Sequence, residues 1–173
     1  MEKSCKMSTL EQTNETVTPA GDGVDHINIY TGGQTKLGRL LSNLAPVSFI
    51  HPTHGKFNTV EGFWYWARCG YIEKYWEDFS TASGFDAKRL GKTLPRVEAT
   101  DFQKQIENVI ELKIRQNQEL RELLRESTLP LRHYYFYGSG DKVKVIDMSK
   151  KYSWQIEHID SIRNVLKGNT RND

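Results

Sequence analysis

Glu61, Trp64, Tyr65 and Arg68 fall within one short stretch, Asn58-Thr59-Val60-Glu61-Gly62-Phe63-Trp64-Tyr65-Trp66-Ala67-Arg68. On a helix, residues three and four apart share a face, so Glu61, Tyr65 and Arg68 point the same way with Trp64 beside them. A carboxylate walled by aromatic rings can act as a base or stabilise developing positive charge. The rings also offer faces for a nucleobase or a pyridine. The same stretch has a purely structural explanation. Asn58-Thr59-Val60-Glu61 has the form of a capping box, with Asn58 as cap, Glu61 at the third helical position and its charge set against the helix dipole. Position alone leaves both readings open.

Asn43 is the second candidate. Before Ala45-Pro46 it can close an Asx-turn, or offer its two-sided amide to a ribose or another amide. His51 and His54 have H-x-x-H spacing, but they lie in a proline-containing turn with no Cys pair or acidic pair to complete a metal site. Gly32-Gly33 lacks the dinucleotide-binding fingerprint, and no nucleophile-elbow, phosphate-loop or kinase pattern occurs. Lys113, Arg115, Arg121 and Arg125 form a basic stretch that reads as a solvated helix face, from which one or two side chains could meet a phosphate.

The elements that must position these residues follow from periodicity. Ile27 and Ile29 alternate with polar neighbours as in a short strand, and Thr31-Gly32-Gly33 marks a turn. Val47-Ser48-Phe49-Ile50 reads as a strand after the Pro46 break, with His51-Pro52-Thr53-His54-Gly55 as the next turn. A helix apolar nearly all round is predicted from Asn58 or Thr59 to about Lys74, which makes it central. A short helix follows over residues 80–92. Phe102, Ile106, Val109, Ile110 and Ile114 form a helical stripe that Leu120, Leu123 and Leu124 continue after a polar break, until Pro130 stops it. Residues 131–137 and 142–147 read as a hairpin joined through Gly138-Ser139-Gly140-Asp141. A last helix covers about 153–167, with Gly168 as its stop.

A chain of 173 residues fits a single domain with a real core. Residues 1–25 are polar and read as a mobile leader, 26–168 as the domain and 169–173 as a tail. The aromatic clusters 63–66 and 134–137 read first as core, with binding surface as the alternative. A net charge of +2 does not suggest a general polyanion binder but leaves room for a small phosphorylated ligand. The two cysteines, Cys5 and Cys69, make no disulfide framework. No run of about eighteen apolar residues spans a membrane, and the N-terminus carries no apolar signal core. The expected location is therefore the cytoplasm, or the host cytoplasm for a viral protein.

The order of the pieces then matters. Leu41-Ser42-Asn43-Leu44-Ala45-Pro46 precedes the Glu61 stretch. Ala87-Lys88-Arg89-Leu90-Gly91-Lys92, Asp101-Phe102, Lys113-Ile114-Arg115-Gln116-Asn117 and a segment ending Tyr137-Gly138-Ser139-Gly140 follow, before a last helix containing Arg163. Over residues 27–167 this order resembles the YbiA/NADAR family, named for its association with NAD and ADP-ribose. The resemblance implies a mostly helical, single-domain α+β fold with a small β-sheet. It implies an N-glycosidase acting on ribosylated amines or on ADP-ribose attached to guanine, with no cofactor and no metal. Partners would be a small ADP-ribose-like nucleotide or ADP-ribosylated nucleic acid. Glu61 then matches the catalytic carboxylate, and Asn43, with Ser42 beside it, the loop near the ribose. Trp64 and Tyr65 would wall the pocket, Phe102 would stack on the base, and Lys88, Arg89 or Arg68 would meet phosphate oxygens. Tyr137 and Gly138 would lie at the ligand. The chain departs from the family where members commonly carry an aspartate shortly before Trp-Gly: it reads Arg132-His133-Tyr134-Tyr135-Phe136-Tyr137-Gly138, with no acid, and nothing in the sequence singles out nearby Asp141 or Asp147 as a replacement. Gly62 stands for the usual histidine after the glutamate, and no Gly-x-Asn precedes the last helix. The alternative that follows is a module that binds ADP-ribose or a related nucleotide without turning it over.

Overall fold

The computed structural model describes residues 17–168. The chain forms β1 (Ile27–Asn28), α1 (Lys36–Leu41), β2 (Phe49–His51), β3 (Gly55–Phe57), α2 (Val60–Arg68), α3 (Trp76–Thr81), α4 (Gly84–Gly91), α5 (Phe102–Gln116), α6 (Gln118–Glu126), β4 (Leu131–Arg132), β5 (Tyr134–Tyr137), β6 (Lys144–Asp147) and α7 (Ser153–Leu166). Helices dominate, and the strands make three two-stranded pairs: β1 with β4 in parallel, and β2–β3 and β5–β6 antiparallel. This is the expected α+β architecture, with three small sheets in place of one. Residues 1–16 of the expected leader and the 169–173 tail lie outside the described residues. Residues 17–25 are part of the fold: Pro19–Gly21 is a short turn of helix, and buried Asp22 accepts from the backbone N–H groups of Asn28 and Gln34.

Helix α2 is the centre. It packs against α3, α4 and α5, and Val60, Phe63, Tyr65, Trp66 and Ala67 are buried on it. It ends at Arg68, six residues before the predicted stop at Lys74, because Gly70 and Tyr71 take positive φ angles of 83° and 57°. A left-handed glycine just past the last turn is the usual helix stop. The Asn58 capping box is also corrected. Thr59 is the cap, its hydroxyl accepting from Gly62 N–H at 3.0 Å, so Glu61 sits at the second helical position. Asn58 instead ties down the end of α3, donating to the carbonyl oxygens of Ser80 and Thr81. Helices α1 and α3 are two elements that periodicity missed, each only six residues long.

Close approaches set where α4 lies. A Cβ on Gly91 would stand 2.1 Å from Tyr65 Cδ1 and 2.8 Å from Tyr65 Cβ. Overpacking of this kind cannot be relieved by a rotamer change alone. Gly91→Ala is expected to cost about 1–3 kcal/mol in a denaturant melt, and to shift α4 and its Lys88 away from α2. Gly62 has a similar reason to lack a side chain: its Cβ would stand 2.4 Å from the Phe79 carbonyl oxygen of α3.

The parallel β1–β4 pair brings the two halves of the chain together. Ile29 N–H donates to Arg132 O at 2.8 Å. Buried Asn28 exchanges two bonds with the Tyr134 backbone, its Nδ2 donating to Tyr134 O at 3.1 Å and its Oδ1 accepting from Tyr134 N–H at 3.0 Å. An amide side chain thus serves as a ladder rung across the break between β4 and β5, and His133 stands in that break.

Candidate active site

Ser42, Asn43, Glu61, Trp64, Tyr65, Arg68 and Lys88 line one cavity of about 120 Å³, together with His133, Tyr135, Tyr152 and Gln155. That is space for several water molecules, more than a single buried water needs. Residues separated by over a hundred positions in sequence thus face one another.

Glu61 stands on the first turn of α2, and its backbone N–H donates to the Asn43 carbonyl oxygen at 2.9 Å. No side-chain hydrogen bond reaches its carboxylate among the described residues. Burial pushes that carboxyl up to about 7, against the opposing pull of Lys88 and Arg68. A desolvated carboxyl without a fixed partner is held near neutrality, which is where acid–base work is done. Arg68 lies 5.7 Å over the Tyr65 ring centroid. Burial, then the Glu61 charge, raise the Tyr65 hydroxyl.

The Ser42-Asn43 loop is fixed from two sides. Asn43 Nδ2 donates to Gln155 Oε1 at 3.0 Å. Behind the loop, Lys113 Nζ donates to the Ser42 carbonyl oxygen at 2.8 Å from a position only 1% exposed. Burial brings the Lys113 ammonium down to about 7. The expectation of a solvated basic face fails at this residue, because Lys113 shares the inner stripe of α5 with Ile106, Val109, Ile110 and Ile114. Arg115 does lie outward, paired with Glu111 at 2.6 Å.

Trp64 forms the aromatic wall, stacked on Trp154 with centroids 6.2 Å apart and meeting Tyr152 edge-on. The rings of His133 and Tyr135 lie 5.2 Å apart, and those of His133 and Tyr152 5.5 Å. Tyr135 is pushed up to about 12, first by burial and then by the neighbouring Tyr152 and Glu61 charges.

Four expected site residues stand elsewhere. Phe102 packs behind Trp64 at 5.0 Å and supports it rather than facing the cavity. Arg89 is 80% exposed and paired with Asp86. Tyr137 is exposed at the outer end of β5, and Gly138 begins the hairpin loop with φ 91°. Asp141 and Asp147 do not replace the absent acid: Asp141 lies in the Gly140–Lys142 turn, and Asp147 on β6 accepts from Ser149 N–H at 2.8 Å. Neither lines the cavity. His51 keeps a turn role, its Nδ1 accepting from the N–H groups of Thr53 and His54. Sequence reasoning missed His133, Tyr135, Tyr152, Gln155 and Lys113. In the Arg132–Gly138 stretch the expectation fell on a missing acid and on Tyr137 and Gly138, whereas His133 and Tyr135 are what the cavity receives.

No helix among the described residues is long and apolar enough to cross a membrane. No protein-family model matches the sequence, and no curated protein does. In three dimensions the chain is similar to the NMR structure of the E. coli protein YbiA, with a TM-score of 0.61 and 20% sequence identity over 86% of this chain and 88% of that one. The described chain therefore has a YbiA-like α+β fold.

Proposed function

We propose that the protein is an N-glycosidase-type hydrolase that cleaves the bond between ribose C1′ and a nitrogen in a ribosylated or ADP-ribosylated substrate such as ADP-ribosyl-guanine. The observation that carries this reading is Glu61: a carboxyl pushed up to about 7 on a cavity wall, with Arg68 and Lys88 beside it and aromatic rings around it. In the reaction the C1′–N bond breaks with its electron pair leaving on nitrogen. The oxygen of water bonds to C1′, and the two water hydrogens end on the released amine and the new sugar hydroxyl. The transition state is oxocarbenium-like, and an ionised Glu61 stabilises it and takes a proton from the attacking water. Arg68 and Lys88 suit phosphate oxygens, Asn43 and Gln155 suit ribose hydroxyls, and Trp64 suits a flat base.

As a base, Glu61 works in its ionised form. The hydrolysis rate is expected to fall about tenfold per unit as pH drops below about 7, and to level off above it. A profile that rises toward low pH instead would assign Glu61 the acid's part.

One observation favours a second reading. Glycosidases generally use two carboxylates, and Glu61 is the only one lining this cavity among the described residues. The same cavity would then hold ADP-ribose without turnover. Calorimetry with ADP-ribose, run beside an assay for amine release from ribosylated amines and ADP-ribosyl-guanine, separates the two. Release supports the hydrolase, binding without release supports the module, and neither binding nor release contradicts both.

A further inference from the structure

The side of α2 turned away from Trp64 opens on a second, larger concavity. Trp64 lines the Glu61 cavity. Trp66, about 200° further round the helix, lines a surface groove of about 690 Å³ that shares no residue with that cavity. The volume is in the range of ordinary ligand-binding sites. Buried Trp66 is joined there by half-buried His54, Tyr71 and Trp76. These rings are set in place by the chain itself. Trp66 Nε1–H donates to the Ile72 carbonyl oxygen at 3.0 Å, and Trp76 Nε1–H to that of His54 at 2.7 Å. The Tyr71 ring meets Trp66 at 88° with centroids 5.1 Å apart, and lies 18° from the plane of His54. Tyr71 is also the one non-glycine residue with a positive φ among the described residues. A backbone held in that region is over-determined by its surroundings, and such residues gather at ligand clamps. With both indole N–H groups taken up, the rings present aromatic surface to the groove, and aromatic surface attracts cations.

The charges at the groove point the same way. Glu73, in the helical turn leading into α3, and Glu77, in the first turn of α3, both line it and are exposed. Like charges four residues apart repel. The Ser80 and Thr81 hydroxyls bond to the Glu77 backbone oxygen rather than to its carboxylate, and neither glutamate forms an ion pair among the described residues. Lys74 is drawn aside: its Nζ lies 4.7 Å over the ring of Tyr75, which is not part of the groove. Two acceptor-only carboxylates therefore stand beside fixed rings without a cation between them. We infer that this groove docks an arginine side chain of a partner protein, its guanidinium stacked on the aromatic wall and hydrogen-bonded to Glu73 and Glu77. A guanidinium uses both features at once, being flat enough to stack and carrying five donors for carboxylates. A quaternary ammonium has no hydrogen to give the glutamates, and a lysine ammonium has no plane to lay on a ring. The inference is independent of the N-glycosidase reading.

The test follows the indole N–H signals of the four tryptophans by NMR. The full chain is titrated with a blocked Gly-Ser-Arg-Ser-Gly peptide, with its citrulline and lysine counterparts, and with choline. The arginine peptide is expected to shift the Trp66 and Trp76 signals in a saturable way and to leave Trp64 and Trp154 in place. Citrulline has the same shape without the charge and should shift none of them, and lysine should bind several-fold more weakly. Glu73→Gln with Glu77→Gln, both at exposed positions, should weaken the arginine peptide by about tenfold. No shift with the arginine peptide, or equal shifts with arginine and citrulline, overturns the inference. So does a response confined to Trp64 and Trp154, which would place the peptide in the Glu61 cavity. Choline acting as strongly as the arginine peptide at Trp66 and Trp76 overturns the choice of arginine.

Discussion

Replacing Glu61 with glutamine is expected to stabilise the protein at pH 8. The folded carboxyl titrates at about 7 against a usual value of 4.5. Between those values the folded protein holds a proton that the unfolded chain has released. Glu61 thus contributes fully below 4.5, and its contribution is lost as pH rises through 7. Above 7 the wild type carries a desolvated charge that glutamine does not, a difference of up to about 3 kcal/mol. In a domain of this size that corresponds to roughly 5–10 °C in melting temperature. Thermal melts of both proteins at pH 8 and pH 4 check the point. The advantage of the variant should be present at pH 8 and absent at pH 4. A pH-independent difference would show that the carboxyl is not held up by burial. Stability sacrificed at one carboxyl is the pattern expected of a functional group rather than a helix cap.

Lys113→Met gives the second large effect, with the opposite pH dependence. The buried ammonium titrates at about 7 against a usual 10.5. From 7 to 10.5 the unfolded chain binds the extra proton, so wild-type stability rises with pH across that window, by up to about 5 kcal/mol. Below 7 the full cost of a buried charge is present. Methionine removes the titration, but leaves the Ser42 carbonyl without its donor, which costs about 1–3 kcal/mol at every pH. The variant should therefore match or exceed the wild type at pH 6.5 and fall well below it at pH 10. Denaturant melts at the two pH values read this directly, and parallel pH dependence in the two proteins would contradict the buried, depressed ammonium.

What could be read from the sequence was local. The Glu61 stretch, the Asn43 loop and Lys88 come from contiguous segments whose order carried the resemblance, and they do face one cavity. The hairpin, the α5 stripe and α7 follow from periodicity because each is long enough to show one. The other side of the cavity was not legible because it depends on a two-residue parallel pairing, Ile27–Leu131 and Asn28–Arg132. No periodicity exists in two residues. The Asn28 side chain then carries the register across the break that aims His133 inward. Lys113 was misread for a different reason: by residue type it belongs on a solvated face, and only tertiary packing reveals that its stem and head are enclosed. The α2 helix was carried to about Lys74 on its near-continuous apolar pattern, and Gly70, whose positive φ ends it, stands inside that stretch.

The most direct test of the central claim is guanine release from ADP-ribosyl-guanine by wild type and Glu61→Gln, measured at pH 8 with both proteins shown to be folded. Release by the wild type and a loss of at least about 10²-fold in the variant are predicted. Equal release by the two proteins would remove Glu61 from the chemistry and contradict the account.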